Sequence, residues 1–205
     1  RVHAGDDRAE PRLGIVGPLS NAASWQSVPQ LRGADGQFVV NELPASTSPD
    51  AMATLVAAAS ERRYPRLPFL NGFCLLMRRT VVDAIGAFDE ERFPLGYGEE
   101  NDFCLRAADA GFELAVADDT YVFHAKSRSF GHERREELSA QGDQALRARH
   151  GAARIDALLA QTRHNAVLDG VRARLQERLA AHDAGAGDDD LLATPILFLL
   201  PAKGG

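Results

Sequence analysis

Three carboxylates lie within four positions of the chain, at Glu99, Glu100 and Asp102. They belong to the stretch Tyr97–Arg106, which follows a loop with glycine and proline at 93–96 and leads into a short apolar helix. Carboxylates that lie close together repel each other, and burial among apolar residues disfavours their charged forms. The fold must therefore supply a cation, a metal or a proton to at least one of them, which makes this stretch a candidate site.

Size and composition limit the classes of protein to consider. The chain has 205 residues, enough for one domain or for a domain with a tail. Its net charge of −6 weighs against nucleic acid as a partner, because phosphate binding favours a basic face. Cys74 and Cys104 form no CxxC motif, which fits a reduced, cytoplasmic setting. The apolar run 195–201 is too short to span a bilayer, so we expect at most a peripheral association with the inner face of the membrane.

The first third of the chain predicts strands and a helix that form a scaffold. Leu13–Pro18 predicts a buried strand, and a loop of small polar residues around Trp25 follows it. The loop fits two interpretations equally well, Trp25 as an anchor in the core or as a residue that faces a ligand. Residues 37–41 predict a short strand. Ser48-Pro49-Asp50 predicts the start of a helix. Its apolar face consists of Met52, Leu55, Val56 and Ala59.

The middle of the chain predicts a strand and a short helix before the acidic stretch. Phe69–Met77 predicts a buried strand that Asn71-Gly72 interrupts, and glycine inside a strand often marks a bulge or the close approach of a ligand. Thr80–Asp83 matches a capping box, which predicts a helix that ends at Gly86.

His124 is a candidate partner for the acidic stretch. The pattern after the acids predicts a helix over 101–110, then strands over 112–116 and 121–123 with a turn at Asp118-Asp119 between them. A neutral imidazole at the end of the second strand could complete an oxygen-rich Mg²⁺ or Mn²⁺ site. Taken alone, however, a histidine at a strand end is more often structural, and an acidic helix start is more often a cap than a base.

The C-terminal third has a different composition. Residues 132–182 predict three helices, which we interpret as a helical appendix with its arginines on a solvated face rather than as a site. Residues 183–193 have the composition of a linker. Residues 194–205 predict the first strand and glycine turn of a truncated second α/β domain.

Five motifs occur in a recognisable order. They are Asn71–Arg79, Ile85–Glu90, Tyr97–Arg106, Ala110–Phe112 and Val122–His124. In this order they resemble the acceptor half of family 2 glycosyltransferases, which are inverting, nucleotide-sugar-dependent enzymes of the GT-A fold.

The resemblance implies a fold and an activity. The fold is α/β, a partial GT-A domain (Rossmann-like nucleotide-diphospho-sugar transferase) over 1–131. The activity is hexosyl transfer from a nucleotide-diphospho-sugar donor to a glycan or lipid-linked acceptor. The loop 17–25 also looks like family members that build bacterial surface polysaccharides, and 194–205 resembles the start of a GT-B type glycosyltransferase.

The resemblance also implies roles for single residues. Glu100 would be the catalytic base, with Glu99 and Asp102 in support, the latter by bonding to the acceptor or by holding Arg106. His124 would be a ligand of a divalent cation, Mg²⁺ or Mn²⁺. The residues implied in substrate binding are Asn71, Gly72, Trp25 and Arg106.

The chain departs from the family pattern in two ways. Many relatives have Glu-Asp where this chain has Glu99-Glu100. The Asp-x-Asp pair that holds metal and nucleotide should precede Leu13, and the acids in 5–8 lie too close to that strand to replace it. We therefore expect the chain to be inactive by itself. The alternative is a non-catalytic carbohydrate-binding or assembly module, and a metal-dependent hydrolase would need more His/Asp ligands than the chain supplies.

Overall fold

The computed structural model describes residues 10–44, 47–94, 96–125 and 132–184. The strands are β1 (Leu13–Leu19), β2 (Leu76–Met77) and β3 (Glu113–Tyr121), and the α-helices are α1 (Pro49–Ala59), α2 (Arg79–Ile85), α3 (Glu99–Asp109), α4 (His132–His150), α5 (Ala152–Thr162) and α6 (Ala166–Ala184). The acids at 5–8, most of the predicted linker and the predicted strand within 194–205 lie outside the described residues. Within those that are described, no helix has the length and apolar character that a membrane crossing requires.

The three strands form one sheet in the order β2-β1-β3. β1 runs antiparallel to β2 and parallel to β3. The central strand, β1, is the strand that the sequence predicts at Leu13–Pro18. It is a core strand, because Ile15 and Leu19 are fully buried. Helix α1 packs against β3 and buries its predicted apolar face, and the Ser48 hydroxyl accepts a hydrogen bond from the Ala51 N–H at 3.1 Å. The mixed α/β class is confirmed.

The sheet corrects the prediction of two strands around Asp118-Asp119. β3 runs without a turn from Glu113 to Tyr121. Asp118 is fully buried in it, and its carboxylate accepts hydrogen bonds from the Ser60 hydroxyl at 2.7 Å and the Tyr64 N–H at 3.0 Å. Because these donors replace water, the acid has no need of an exposed turn.

Two other predicted strands are also wrong or much shorter. The segment 37–41 forms no strand and contributes only an isolated bridge between Arg32 and Phe38. Of the predicted strand 69–77, only Leu76–Met77 pairs with β1. The backbone around Asn71 is bonded to side chains instead of to a neighbouring strand, as described below.

Helices α2 and α3 begin earlier than predicted. α2 starts at Arg79, and its N-cap Arg78 makes no side-chain cap bond, so the predicted capping box does not form, although the helix ends at Gly86 as predicted. α3 starts at Glu99 rather than at residue 101. All three acids of the stretch therefore lie in the first turn of a helix, where unpaired N–H groups favour carboxylates.

Helices α4, α5 and α6 form where the sequence predicts them and share one core with the sheet. Their contribution to that core is Leu146, Ile155, Leu168, Val171, Leu175 and Leu179. The arginines do not all lie on a solvated face, however, because Arg172 of α6 is only 8% exposed. Protein groups replace water around its guanidinium. The division of the chain into 1–131 and 132–182 stays a prediction.

Candidate active site

The acids are introduced by three residues with left-handed backbone angles. Gly96, Tyr97 and Gly98 have φ values of +77°, +65° and +123°. A side chain at position 98 would also collide, since its Cβ would lie 3.1 Å from the Phe93 ring. This turn bends the chain directly into α3, and the left-handed Tyr97 costs about 1 kcal/mol or more. Strain of this kind often accompanies a functional site.

Glu100 lies half-buried on the side of this turn that faces the loop 71–73. Its Oε2 accepts a hydrogen bond from the Gly98 N–H at 3.3 Å. A Cβ on Gly72 would lie 3.0 Å from the Glu100 Cβ, so glycine is what permits this approach. Burial, and then the negative charge of Glu99, raise the pKa of the Glu100 carboxyl. A carboxylate whose pKa is raised toward neutrality suits general base catalysis.

Glu99 stands beside it with one carboxylate oxygen, Oε2, buried and without a hydrogen-bond partner among the described residues. Glu100 likewise has no cationic partner among the described residues. The sequence predicts that a cation, a metal or a proton holds at least one of the three acids. Among the described residues the cations go to Asp102, whereas at Glu100 burial and the charge of Glu99 raise the pKa and so favour a proton.

Asp102 lies in a different environment, fully buried between α3 and the end of α4. Its Oδ2 is 2.7 Å from the Arg106 Nε, and its Oδ1 is 2.8 Å from the His150 Nε2 and 3.2 Å from the Arg149 Nη1. Of the two roles that the sequence left open for Asp102, this geometry favours holding Arg106. Because the carboxylate is enclosed by protein, it is poorly placed to meet an acceptor.

Arg106 is occupied by the fold on all sides of its guanidinium. Besides Asp102, it donates hydrogen bonds from Nη1 to the Ile85 carbonyl at 2.6 Å and from Nη2 to the Ala87 carbonyl at 2.8 Å. It thus ties the end of α2 to α3. Its predicted part in substrate binding stays a prediction that these contacts do not favour.

Helix α4 also contacts the backbone of residues 96–102, which we call the acidic turn. Gly142 lies so close to the Tyr97 carbonyl oxygen that a Cβ at position 142 would overlap that atom. Seven residues later, Arg149 pairs with Asp89 at 2.6 Å as well as with Asp102. The helix therefore supports both the backbone before the acids and the acid that faces away from the loop.

The loop Asn71-Gly72-Phe73 connects the predicted site residues. The Asn71 N–H donates to the Gln26 Oε1 at 2.7 Å, and its side-chain Nδ2 donates to the Ser24 hydroxyl at 3.2 Å. Phe73 stacks on the His124 ring, with 5.0 Å between ring centroids. Together with the contact between Gly72 and Glu100, three consecutive residues meet the loop around Trp25, the acidic turn and His124.

The tautomer of His124 follows from its contacts. Its Nδ1 lies 2.9 Å from the Ala22 carbonyl oxygen, and because a carbonyl can only accept, Nδ1 carries the proton. Nε2 is left with a lone pair that can accept a proton or bind a metal. Within the described residues, however, no three His, Cys, Asp or Glu side chains come together as a metal site. The described residues therefore offer His124 as one candidate ligand but do not complete the predicted metal centre.

Trp25 belongs to a short 3-10 turn, Ser24–Gln26, which we call the Trp25 turn. Its half-buried ring packs edge-on against Phe38, with centroids 4.8 Å apart, and the Arg32 guanidinium lies 5.6 Å from its centroid. Gln26 is 1% exposed and donates from Nε2 to the Pro18 carbonyl at 2.8 Å. The turn meets the acidic turn only through the loop 71–73, among the contacts described.

Sequence reasoning missed Gln26, His150 and Arg172 as residues that support the site. Gln26 stands among small polar residues, and the other two lie in helices rich in arginine. None of these positions differs from its neighbours in type or spacing. Only Gly142, a glycine inside a charged helix, gives a signal that a close approach is required.

The middle of the chain matches the model of a known family. Residues 48–142, just under half of the chain, match the family described as glycosyltransferase like family 2. We call residues 48–142 the family 2-like region after this similarity. This region includes the loop 71–73, the acidic turn and His124, whereas Arg149, His150 and α6 lie beyond its end.

Curated relatives of the chain occur in mycobacteria. Proteins from Mycobacterium bovis and from two strains of Mycobacterium tuberculosis, each named as an uncharacterized protein, are 32% identical to it over 152 residues. The alignment covers 71% of this chain and 51% of each relative, so the chain spans about half the length of the curated relatives it matches. No solved structure matches the chain significantly.

Proposed function

We propose that the family 2-like region serves the inverting transfer of a hexosyl group from a nucleotide-diphospho-sugar to a glycan or lipid-linked acceptor, in a GT-A type domain. The proposal depends on the environment of the Glu100 carboxyl. Its carboxyl lies in the first turn of α3, has a raised pKa and has no cationic partner in the described part of the chain. That combination is suited to accepting a proton.

In this reaction Glu100 takes the proton of the acceptor hydroxyl. The hydroxyl oxygen attacks the anomeric carbon and forms the new C–O bond, while the bond from that carbon to the nucleotide diphosphate breaks. The diphosphate leaves with the electron pair. Because attack and departure occur on opposite faces of the carbon, the configuration inverts.

Neighbouring residues affect the position and the pKa of Glu100. Gly72 allows the Glu100 side chain to approach the loop 71–73, and the charge of Glu99 helps keep the pKa raised. We assign Asn71 and Trp25 to the saccharide pocket, because one connects the base to the Trp25 turn and the other offers a half-exposed aromatic ring.

A divalent cation, Mg²⁺ or Mn²⁺, stays a prediction. Its chemistry is the stabilisation of a leaving diphosphate. His124 fits as one ligand through its Nε2, but the described residues complete no site around it.

The cellular setting is also a proposal. We place the reaction in bacterial surface polysaccharide synthesis, in the cytoplasm or at the inner face of the membrane. We further propose that turnover requires more of the protein than this chain, since the chain spans half of each curated relative.

The test is Glu100→Gln in the full-length protein as its gene encodes it. Glutamine keeps the shape of the side chain but cannot take a proton, so transfer should fall about 10²- to 10⁴-fold. Binding of the nucleotide-sugar, chosen from a panel of UDP-, GDP- and dTDP-sugars by calorimetry, should survive. Glu90→Gln, an exposed acid in the preceding loop, is the matched control and should leave both quantities unchanged.

Unchanged turnover in Glu100→Gln would overturn the assignment of the base. Saccharide binding without transfer by the wild-type protein, across the whole panel of nucleotide-sugars, would instead favour a carbohydrate-binding module.

A further inference from the structure

Arg172 of α6 is a buried cation that is bonded to the Trp25 turn. Its guanidinium donates from Nη2 to the Trp25 carbonyl at 2.6 Å and from Nε to the Ser27 carbonyl at 3.0 Å. Its Nη1 pairs with Asp169 of the same helix at 2.8 Å. Burial lowers the pKa of this guanidinium, which shows how far it is removed from water.

The two carbonyls lie at the C-terminal end of the Trp25 turn, where backbone oxygens lack partners inside the turn. A guanidinium can bond to both because its donors project as a rigid fork. A lysine ammonium is a compact point charge and cannot span the same two carbonyls and Asp169 in this geometry. The position thus requires arginine for its shape as well as its charge.

The Trp25 turn in turn is bonded to the loop next to the proposed base. The Ser24 hydroxyl and the Gln26 Oε1 both accept hydrogen bonds from Asn71. Asn71 precedes Gly72, which contacts Glu100. Arg172 is therefore connected, through the turn and the loop 71–73, to the place where chemistry is proposed.

The space beside the Trp25 turn suits a saccharide. A shallow, open depression of about 470 Å³ lies in the loop 33–40 and is lined by Gly33, Ala34, Asp35, Gln37, Phe38, Val39 and Val40. Phe38 is 37% exposed and contacts the Trp25 ring. One aromatic ring, that of Phe38, and polar groups that can bond to the hydroxyls of a sugar thus occur side by side. The Arg32 guanidinium lies over the same ring, 4.3 Å from its centroid.

We propose that Arg172 is a positioning residue that holds the Trp25 turn as the wall of a saccharide subsite, so that α6 belongs to the site although it lies outside the matched family region. This inference rests on the proposed function for the identity of the ligand. The contact between Arg172 and the turn does not depend on it.

The chain contains its own reporter, because Trp25 is its single tryptophan. It also contains a matched control. Arg174 of the same helix donates to a backbone carbonyl as well, that of Ala59 at the end of α1, at 2.6 Å. Arg172→Ala and Arg174→Ala thus each remove an arginine that bonds to a backbone carbonyl, but only the first touches the Trp25 turn.

We expect Arg172→Ala to shift Trp25 emission to the red and to raise its quenching by acrylamide about twofold or more. Arg174→Ala should leave both unchanged. Arg172→Lys should restore the emission only in part. If Arg172→Ala fails to fold, the same comparison is made with Arg172→Lys, and an emission and quenching equal to wild type in the folded variant would overturn the proposal.

The subsite is tested by titrating Trp25 fluorescence with a panel of oligosaccharides, in parallel with calorimetry of nucleotide-sugar binding. Arg172→Ala should weaken oligosaccharide binding about tenfold and leave nucleotide-sugar binding unchanged. Equal losses in Arg172→Ala and Arg174→Ala would mean a general structural effect and would overturn the positioning role. The wild-type protein could also bind oligosaccharides, with Arg172→Ala weakening that binding, and yet transfer no sugar at all. That result would refute the proposed function and leave this inference standing.

Discussion

The first turn of α3 presents two carboxylates, two positions apart, to two different environments. Glu100 faces the loop 71–73, accepts one hydrogen bond from a backbone N–H and has a raised pKa. Asp102 faces α4, is fully buried and contacts three basic side chains. The two residues carry the same chemical group on the same helical turn. Glu100, which no basic side chain neutralises, is suited to accepting a proton, whereas Asp102, which basic side chains surround, is suited to holding the structure together.

Two of the three basic partners of Asp102 come from a part of the chain that the family match does not include. Arg149 and His150 follow its end at residue 142. The acidic turn is thus built from the family 2-like region and supported by residues beyond it, and the C-terminal helices are more than an attachment.

The largest effect is expected from Asp102→Asn. The substitution takes the carboxylate away from the Arg106 guanidinium and from the buried His150 ring, while Arg149 keeps its pairing with Asp89. Breaking a buried pair in this way costs about 3–5 kcal/mol of the free energy of unfolding. Urea denaturation at pH 7 measures it. The control is Asp83→Asn, since Asp83 pairs with Arg79 on the exposed face of α2 and should cost about 0.5 kcal/mol or less. A loss below about 1 kcal/mol for Asp102→Asn would remove one half of the comparison.

The same measurement on Glu100→Gln should have the opposite sign. A carboxyl with a raised pKa in the folded state binds its proton more tightly there than in the unfolded chain, so its ionisation lowers stability as pH rises through the folded pKa. The neutral glutamine should therefore stabilise the protein at pH 7 to 8, by about 1.4 kcal/mol for each pH unit by which the pKa is raised, and not below the ordinary pKa of 4.5. A destabilisation at pH 8 would mean that Glu100 is held like Asp102.

Gly142→Ala tests whether α4 supports the acidic turn through backbone contact. The new methyl group would overlap the Tyr97 carbonyl, so either the helix or the turn must move, at a cost of about 1–3 kcal/mol. Gly170→Ala in α6 is the matched control, because its methyl meets only the end of the Arg174 side chain, and alanine favours a helix by up to about 1 kcal/mol. Equal effects of both substitutions on the free energy of unfolding would contradict the support by α4.

Gly72→Ala tests the other side of the comparison. Its Cβ would lie 3.0 Å from the Glu100 Cβ, so the base must be displaced by a few tenths of an ångström. We expect a loss of transfer of about tenfold, because small displacements of a reacting group are costly, with little change in stability. Full turnover in this variant would show that the position of Glu100 is not critical.

The smallest expected effect is a shift in pH dependence in Glu99→Gln. The charge of Glu99 is the second cause of the raised pKa of Glu100, after burial, so its removal should lower that pKa without restoring the ordinary value. The acidic limb of kcat/KM should therefore move to lower pH. A movement to higher pH would contradict the coupling between the two acids.

Local patterns predicted much of this fold, and contacts distant in sequence account for the errors. The start and the apolar face of α1 depend on neighbouring residues and were predicted correctly. The strand β3 was predicted as two, because the groups that satisfy Asp118 lie more than fifty residues before it. The strand around Asn71 was lost for the same reason, since a side chain 45 residues away accepts its N–H.

For the site, the sequence predicted which residues come together better than what each one does. Helical spacing places Glu100 and Asp102 on different faces of a turn, but it does not say which face meets α4. That depends on His150, 48 residues later in the chain. The sequence also does not show what Arg106 and Trp25 contact. Arg106 bonds to the end of α2, and Trp25 packs against the loop 33–40.

The pKa of Glu100 tests the central claim most directly. Carbon-13 NMR titration of the glutamate carboxyl carbons, with Glu100→Gln to assign the signal that disappears, measures it without any assay of activity. The account predicts that this carboxyl titrates above its ordinary value of 4.5. Titration at or below 4.5 would mean that its charge is compensated in the folded protein, and it would contradict both the comparison with Asp102 and the role of Glu100 as a base.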